Sequence, residues 1–168
     1  MIDFPDWYEG GFTDAEKAFY CLLKPYADLT TPQIEVTTWR QWNNDTHPVA
    51  RLYRSAGASE RVEDTSIIEL EVFSQDRNTS IQVTEYLRQA ILTYRSSGGM
   101  VYAVGDVAVS DPDFAAFIKG ADDHQGPELI MTDNADARVV YSAFRICIRK
   151  DRGLPDYASI RDQIIPQG

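Results

Sequence analysis

Two stretches of the chain carry apolar side chains at the spacing of an α-helix. In the first, Thr13 and Glu16 stand in the arrangement of a capping box, and Pro25 bounds the apolar stripe that follows. In the second, Asp76 stands where an N-cap is expected, and the apolar stripe continues to about Tyr94. The pattern therefore predicts two main helices, of which the second is the longer.

Six other segments alternate between apolar and polar residues, or run apolar, in the manner of β-strands. They cover residues 34–38, 49–54, 65–74, 100–109, 128–132 and 137–150. Residues 55–64 are predicted as a hairpin connection and residues 110–126 as a long acidic loop. Because runs of strands separate the helices, the order predicts an α+β fold. We expect a largely antiparallel or mixed sheet of about five to six strands, with the two main helices packed on one face.

The chain has 168 residues, which is enough for one domain with its own hydrophobic core. Residues 1–12 mix aromatic, glycine and acidic residues without a period, and are predicted as an irregular arm that packs on the domain or on a neighbouring subunit. Residues 13–150 form the single predicted α+β domain. Residues 151–168 are predicted as a polar tail, with a short helix around residues 157–164.

The formal net charge is -10. A nucleic-acid binder needs clustered lysines and arginines to neutralise phosphates, so this charge argues against that class and equally against binding to an anionic membrane. The first residues carry acids where a secretion signal carries lysine or arginine, and no long apolar run follows. We therefore expect a protein that is made and used in a cytoplasm, or in an assembly formed there.

No segment matches a catalytic or nucleotide-binding motif such as HExxH, CxxC, GxSxG or GxxxxGK[ST]. The sequence therefore predicts no catalytic residue, no cofactor and no metal. Glu69 and Glu71 share a strand face, which is more typical of a solvated face, or of one paired to a neighbour's arginines, than of a catalytic pair. Cys21 and Cys147 fall within apolar patterns and are interpreted as small buried hydrophobic residues.

The acidic stretch 111–124 leaves one different class of function open. Asp111, Asp113 and the run Asp122-Asp123-His124 supply groups that bind metals. A metal site needs three or more converging ligands at a defined spacing, and these residues match no such pattern, so a solvated loop is favoured. The alternative function is a small ligand-binding or metal-binding domain, or an enzyme, that uses this loop.

The residue composition favours a protein that binds other proteins. Tryptophan, tyrosine and arginine are the residue types enriched at interface hot spots. They gather around the first predicted loop and strand pair, and a short apolar patch lies in the acidic stretch. The predicted interface residues are Trp39, Arg40, Trp42, Arg51, Tyr53, Arg54, Phe114 and Phe117. The alternative for Trp39 and Trp42 is that they cap the end of the sheet.

The order of elements and several local strings resemble the tail terminator proteins of long-tailed bacteriophages, especially phages that infect actinobacteria. The resemblance covers roughly residues 13–150. Its strings are Pro32–Val36, Pro48–Tyr53, Asp64–Phe73 followed by Asp76-Arg77, Gly126-Pro127, the acidic turn Asp133–Asp136, and Arg138–Ala143. The family usually has Gly-Gly after the first strand, where this chain has Trp39-Arg40-Gln41-Trp42.

The resemblance implies a ring, typically a hexamer, that caps the completed tail tube and offers a surface to the head-side connector. The implied partners are further copies of the chain, the tail tube protein and the connector. DNA passes through the lumen without specific binding, and an acidic lumen would repel its phosphates. The implied location is the neck of the virion tail, with the host cytoplasm during assembly and no membrane partner. Another neck component, a head–tail connector or a head-closure protein, is the nearest alternative.

Overall fold

The computed structural model describes residues 2–8, 11–38, 47–59, 63–130, 139–150 and 156–164. Within these residues, helices and strands are interspersed along the chain. The elements are α1 (Ala15–Ala27), β1 (Glu35–Thr37), β2 (Val49–Ser59), β3 (Glu63–Phe73), α2 (Arg77–Leu92), α3 (Tyr94–Ser97), β4 (Gly99–Tyr102), α4 (Gly105–Ser110), β5 (Ala115–Leu129), β6 (Val139–Arg149) and α5 (Tyr157–Ile164).

The six strands form one mixed sheet in the order β1-β2-β3-β6-β5-β4. The β1 strand runs parallel to β2, and every other neighbouring pair is antiparallel. The two central strands, β3 and β6, have 11 residues each and pair along their whole length. The predicted α+β fold, with a largely antiparallel or mixed sheet of about five to six strands, is therefore confirmed.

The core lies between one face of this sheet and the two long helices, α1 and α2. Alternate residues of β3 and β6 point into it, and Phe144 meets Phe19 of α1 with ring centroids 5.9 Å apart. The α2 helix contributes Leu87 and Ile91, which have no exposed surface. Burying large apolar side chains on one side of a sheet is the main favourable term for such a two-layer domain.

The α1 helix begins one residue later than the capping box predicts. Asp14 is the N-cap, and its carboxylate accepts hydrogen bonds from the backbone N–H groups of Glu16 and Lys17 at 2.9 and 3.2 Å. Glu16 does not complete a capping box, because its carboxylate accepts the backbone N–H of Arg54 at 2.7 Å. Pro25 lies inside the last turn, and the helix continues to Ala27. The predicted N-cap of α2, Asp76, is confirmed.

The prediction of one strand over residues 100–109 is wrong in its second half. The β4 strand ends at Tyr102, and α4 begins at Gly105 with φ of 53°. A side chain at position 105 would be strained at this φ and would collide with the hydroxyl of Tyr20. That hydroxyl accepts the backbone N–H of Asp106 at 3.3 Å, so α1 fixes the turn from a distance of more than eighty residues.

The predicted acidic loop over residues 110–126 is also wrong, because most of it belongs to β5. This strand spans Ala115–Leu129 and takes in part of the predicted strand 128–132. Its buried residues Ala116, Ile118 and Ala121 join the core. The predicted connection over residues 55–64 is shorter than expected, since β2 reaches Ser59 and β3 starts at Glu63. The predicted acidic turn at residues 133–136 lies outside the described residues.

The two ends of the chain meet in the structure. Residues 2–8 contain no helix or strand, and the Trp7 ring packs edge-on against Tyr157 of α5 with centroids 5.6 Å apart. The short helix predicted around residues 157–164 matches α5. The division into an arm, a domain and a tail remains a prediction.

Replacement of Asp14 tests the observed cap. We expect Asp14→Ala to lower the free energy of unfolding by about 1 kcal/mol, because two backbone N–H groups of the first turn lose their acceptor. Urea unfolding followed by circular dichroism measures the change. Thr13→Ala is the matched control and should have little effect. An equal loss in both variants would contradict Asp14 as the cap.

Candidate functional site

The sheet face that points away from α1 and α2, called the outer face, carries a polar cluster on its central strands. The register places Arg51 of β2 opposite Glu71 of β3, and Tyr53 opposite Glu69. Tyr141 of β6 lies opposite Glu71 on the other side. All five side chains are half-buried. Cross-strand neighbours on one face are within contact distance, so the strand pairing alone assembles the cluster.

The charges and hydroxyls of this cluster are engaged with one another. Arg51 forms an ion pair with Glu71 at 2.5 Å, and its guanidinium carbon lies 5.3 Å from the centre of the Tyr53 ring. The Tyr53 hydroxyl donates a short hydrogen bond to Glu69 and lies 3.5 Å from Glu71. Of the two expected surroundings, water or a neighbour's arginines, Glu71 has the second, because it pairs with Arg51 of the neighbouring strand. Glu69 has neither, because it accepts the hydrogen bond of the Tyr53 hydroxyl.

The proton affinities of the cluster reflect this arrangement. Partial burial, followed by the hydrogen bond to Glu69, raises the pKa of Tyr53 well above its usual value. Burial works to raise the pKa of Glu69 as well, but hydrogen bonds from Tyr53, Ser55 and Tyr141 outweigh it and lower that pKa. Burial and the nearby Glu69 raise the pKa of Tyr141. At neutral pH the neutral phenols of Tyr53 and Tyr141 thus surround the ionised carboxylate of Glu69.

The predicted interface residues fall in separate places. Arg51 and Tyr53 lie together on the outer face, whereas Arg54 turns away and pairs at 3.3 Å with the buried carboxylate of Asp64. Phe114 is half-buried against the core, and Phe117 is exposed on the outer face near a sheet edge. Trp39, Arg40 and Trp42 lie outside the described residues.

A second surface feature, of which the sequence predicts Phe117 alone, lies at the β4 edge of the sheet. Met100 of β4 pairs directly opposite Phe117 of β5, and Tyr102 follows two residues on. Their exposed fractions are 44%, 37% and 63%. We call these three residues the edge patch. The apolar alternation at residues 100–102 was a signal of a strand, but it could not show that this strand is the outermost one.

Three acidic residues of the stretch 111–124, namely Asp111, Asp122 and Asp123, form ion pairs. Arg88 of α2 binds Asp123 through two hydrogen bonds of 2.9 and 2.8 Å, and Arg95 binds Asp122 at 2.8 Å. Asp111 pairs with Lys17 of α1 at 3.1 Å. Because the two arginines neutralise Asp122 and Asp123, this acidic segment can form part of β5. In the part of the chain that the structure describes, no group of three carboxylate, histidine or cysteine side chains is arranged to hold a metal.

The two cysteines have different surroundings. Cys21 is buried in α1, as predicted, and burial raises the pKa of its thiol. Cys147 is only half-buried and lies on the outer face, where it donates to the Glu63 carboxylate at 3.2 Å. Burial, together with Glu63, raises the pKa of this thiol also.

Among the described helices, none combines the length and the apolar character needed to cross a membrane.

Comparison with known proteins gives one family. The model of a family described as phage tail termination protein matches residues 11–155. Five chains of solved structures are similar to this one. One of them shares 13% sequence identity, with a TM-score of 0.43, over 83% of this chain and 94% of the other. A search of curated proteins finds no match.

The Arg88–Asp123 pair should make stability depend on acid. Arg88 holds the pKa of Asp123 below its usual value, so the stabilisation is present above about pH 4 and is lost as the pH falls through the lowered pKa. We expect Asp123→Asn to be less stable than the parent by about 1 kcal/mol at pH 7. The difference should shrink below pH 4, as measured by urea unfolding across the pH range. Asp113→Asn, at an exposed position, is the control, and a difference independent of pH would contradict the role of the pair.

Proposed function

The chain belongs to the phage tail termination proteins, and from this membership we propose that it forms a ring, a hexamer, that caps the completed tail tube. The ring stops tube polymerisation, and its opposite side receives the head-side connector. The observation that carries the proposal is the extent of the family match. Residues 11–155 include every element from α1 to β6, so the match covers the whole sheet and both long helices.

The two edges of the sheet support a ring. A closed ring of identical subunits needs two different surfaces on each subunit, because the contact is head to tail. Here the edge strands differ: β1 has three residues and runs parallel to its neighbour, whereas β4 has four and runs antiparallel. Short edge strands limit uncontrolled pairing with other chains but still leave unpaired backbone groups. Each subunit therefore has two unlike ends that can meet in a ring.

The outer face supports a binding role for Arg51 and Tyr53. Both side chains are held by carboxylates of β3 before any partner arrives, which reduces the entropy lost on binding. We propose that they contact the tube protein or the connector, together with Trp39, Arg40 and Trp42, which follow β1 in the chain. Arg54 and Phe114 contact their own chain, Arg54 at Asp64 and Phe114 at the core.

The charge of the chain supports passage of DNA through the ring. The net charge is -10, and basic residues that pair within the chain, such as Arg88 and Lys17, are less available to phosphates. A surface with an excess of carboxylates repels the DNA backbone, so DNA moves through without being held.

Electron microscopy of the pure protein with tail tubes tests the proposal. We expect rings at the ends of tubes, and tubes that no longer lengthen when tube protein is added, because the ring covers the growing end. Light scattering of the protein with and without tubes gives the size of the assembly. Tubes treated with an unrelated acidic protein are the control.

The outcomes separate the candidate roles. A protein that stays monomeric and ignores tubes at high concentration would contradict the proposal. A ring that binds the connector but leaves tube growth unchanged would point instead to another neck component.

A further inference from the structure

The edge patch is a contiguous apolar surface. Met100 and Phe117 are directly opposite each other on adjacent strands, and Tyr102 lies on the same side of β4. Single exposed apolar residues are common on proteins, whereas the largest contiguous apolar patch of a protein is often functional. Within the described residues, β4 pairs only with β5, so the patch lies at an open sheet edge.

A positive charge borders this patch. Ile118 of β5 pairs with Ile148 of β6, which makes Phe117 and Arg149 neighbours on the outer face. Arg149 is exposed and forms no ion pair with any residue that the structure describes. Its cross-strand neighbour Glu63 binds Lys119 and Cys147 instead. The row Met100, Phe117 and Arg149 crosses three strands and therefore spans about 10 Å.

The N-terminal arm has the complementary composition. In residues 2–8, Ile2 is 75% exposed, Phe4 59% and Trp7 38%. Asp3 and Asp6 alternate with these apolar residues, are exposed, and form no ion pair with the described residues. The arm is thus apolar and acidic, whereas the patch is apolar and bordered by a cation.

We propose that the arm of one subunit docks across the edge patch of a second copy of the chain. Phe4 covers Met100 and Phe117, and the carboxylate of Asp6 meets Arg149. The Cα atoms of residues 4 and 6 are at most about 7 Å apart, the value for an extended chain, which fits within the row across the strands. This inference rests on the proposed ring and names the contact by which neighbouring subunits join.

The contact is between copies because the arm does not cover the patch of its own chain. Its Trp7 packs on Tyr157 of α5, and Phe4 stacks on Tyr8 at 4.6 Å. With the arm in this place, Met100, Tyr102 and Phe117 all remain exposed. Each subunit therefore offers one arm and one patch, which is the head-to-tail arrangement that a closed ring requires.

Cross-linking between two differently tagged chains tests the contact. One chain carries Phe4→Cys and the other Met100→Cys, both with Cys147→Ala so that buried Cys21 is the native thiol that remains. The chains are mixed, with and without tail tubes, and treated with a short bis-maleimide. We expect a cross-linked pair that contains both tags. The control replaces Met100→Cys by Leu29→Cys, which is 78% exposed at the end of α1, and should cross-link at least tenfold less.

Charge exchange gives an independent measurement on folded protein. We expect Asp6→Arg and Arg149→Asp each to lower ring occupancy on tubes about tenfold, and the two changes combined to restore it, because the ion pair is reversed. Arg145→Asp is the matched control, since Arg145 is exposed on the same face of β6 but lies away from the patch. Circular dichroism establishes that each variant is folded.

Each result bears on one proposal or on both. If tubes are capped but the Phe4→Cys and Met100→Cys chains cross-link no better than the control, arm docking is wrong and the ring remains. If concentrated protein cross-links through these positions while tubes stay uncapped, arm docking holds and the tube-capping role is wrong. Efficient cross-linking within a single dilute chain that carries both substitutions would also overturn docking between copies.

Discussion

The continuous pairing of β3 with β6 is the constraint on which the rest of the structure depends. Eleven pairs run without a shift from Glu63 opposite Arg149 to Phe73 opposite Val139. Because side chains alternate, a slip of one residue would turn the apolar set out of the core and the polar set into it. Burial of Ile68, Leu70 and Phe144 against the helices therefore fixes this register more firmly than hydrogen bonding alone.

The polar surface is a consequence of the same register. Once β3 is placed by its apolar residues, Glu69 and Glu71 must project from the outer face at neighbouring positions. Two such carboxylates are stabilised there because β2 brings Tyr53 and Arg51 opposite them. The buried face thus determines where charges lie on the exposed one, although the two sets of side chains do not touch.

The sequence predicts the elements in which the apolar pattern repeats several times within one continuous segment. The α2 helix, β3 and β6 follow clear stripes, and their positions were found to within a few residues. The sheet order, its mixed character and the choice of faces depend on pairing between distant segments. The sequence predicts the class of fold to which those features belong, but it does not predict which strands are neighbours in the sheet.

The errors share a physical cause, which is contact over a long sequence distance. Thr13 and Asp14 are both good N-cap residues, and the choice between them is tied to Glu16, which is bound by the backbone of β2. The acidic stretch looked like a solvated loop because its arginine partners, Arg88 and Arg95, belong to other elements. Among the proposed interface residues, Arg51, Tyr53 and Phe117 are predicted from residue type alone, whereas Met100 and Tyr102 require knowledge of which strand forms the edge.

The same reasoning separates the rigid part of the molecule from the parts that suit assembly. At the centre of the sheet every strand has two neighbours, and register and packing leave one arrangement. At the β4 edge, the strand pairing seen among the described residues covers four residues on one side, and the exposed apolar side chains there are not required by the core. A contact between subunits at this edge can therefore form without disturbing the packing of the core. Arg149 combines both properties, because it is the last residue of the central strand β6, whose position is fixed. Among the described residues, its charge takes no part in the ion pairs that stabilise the domain.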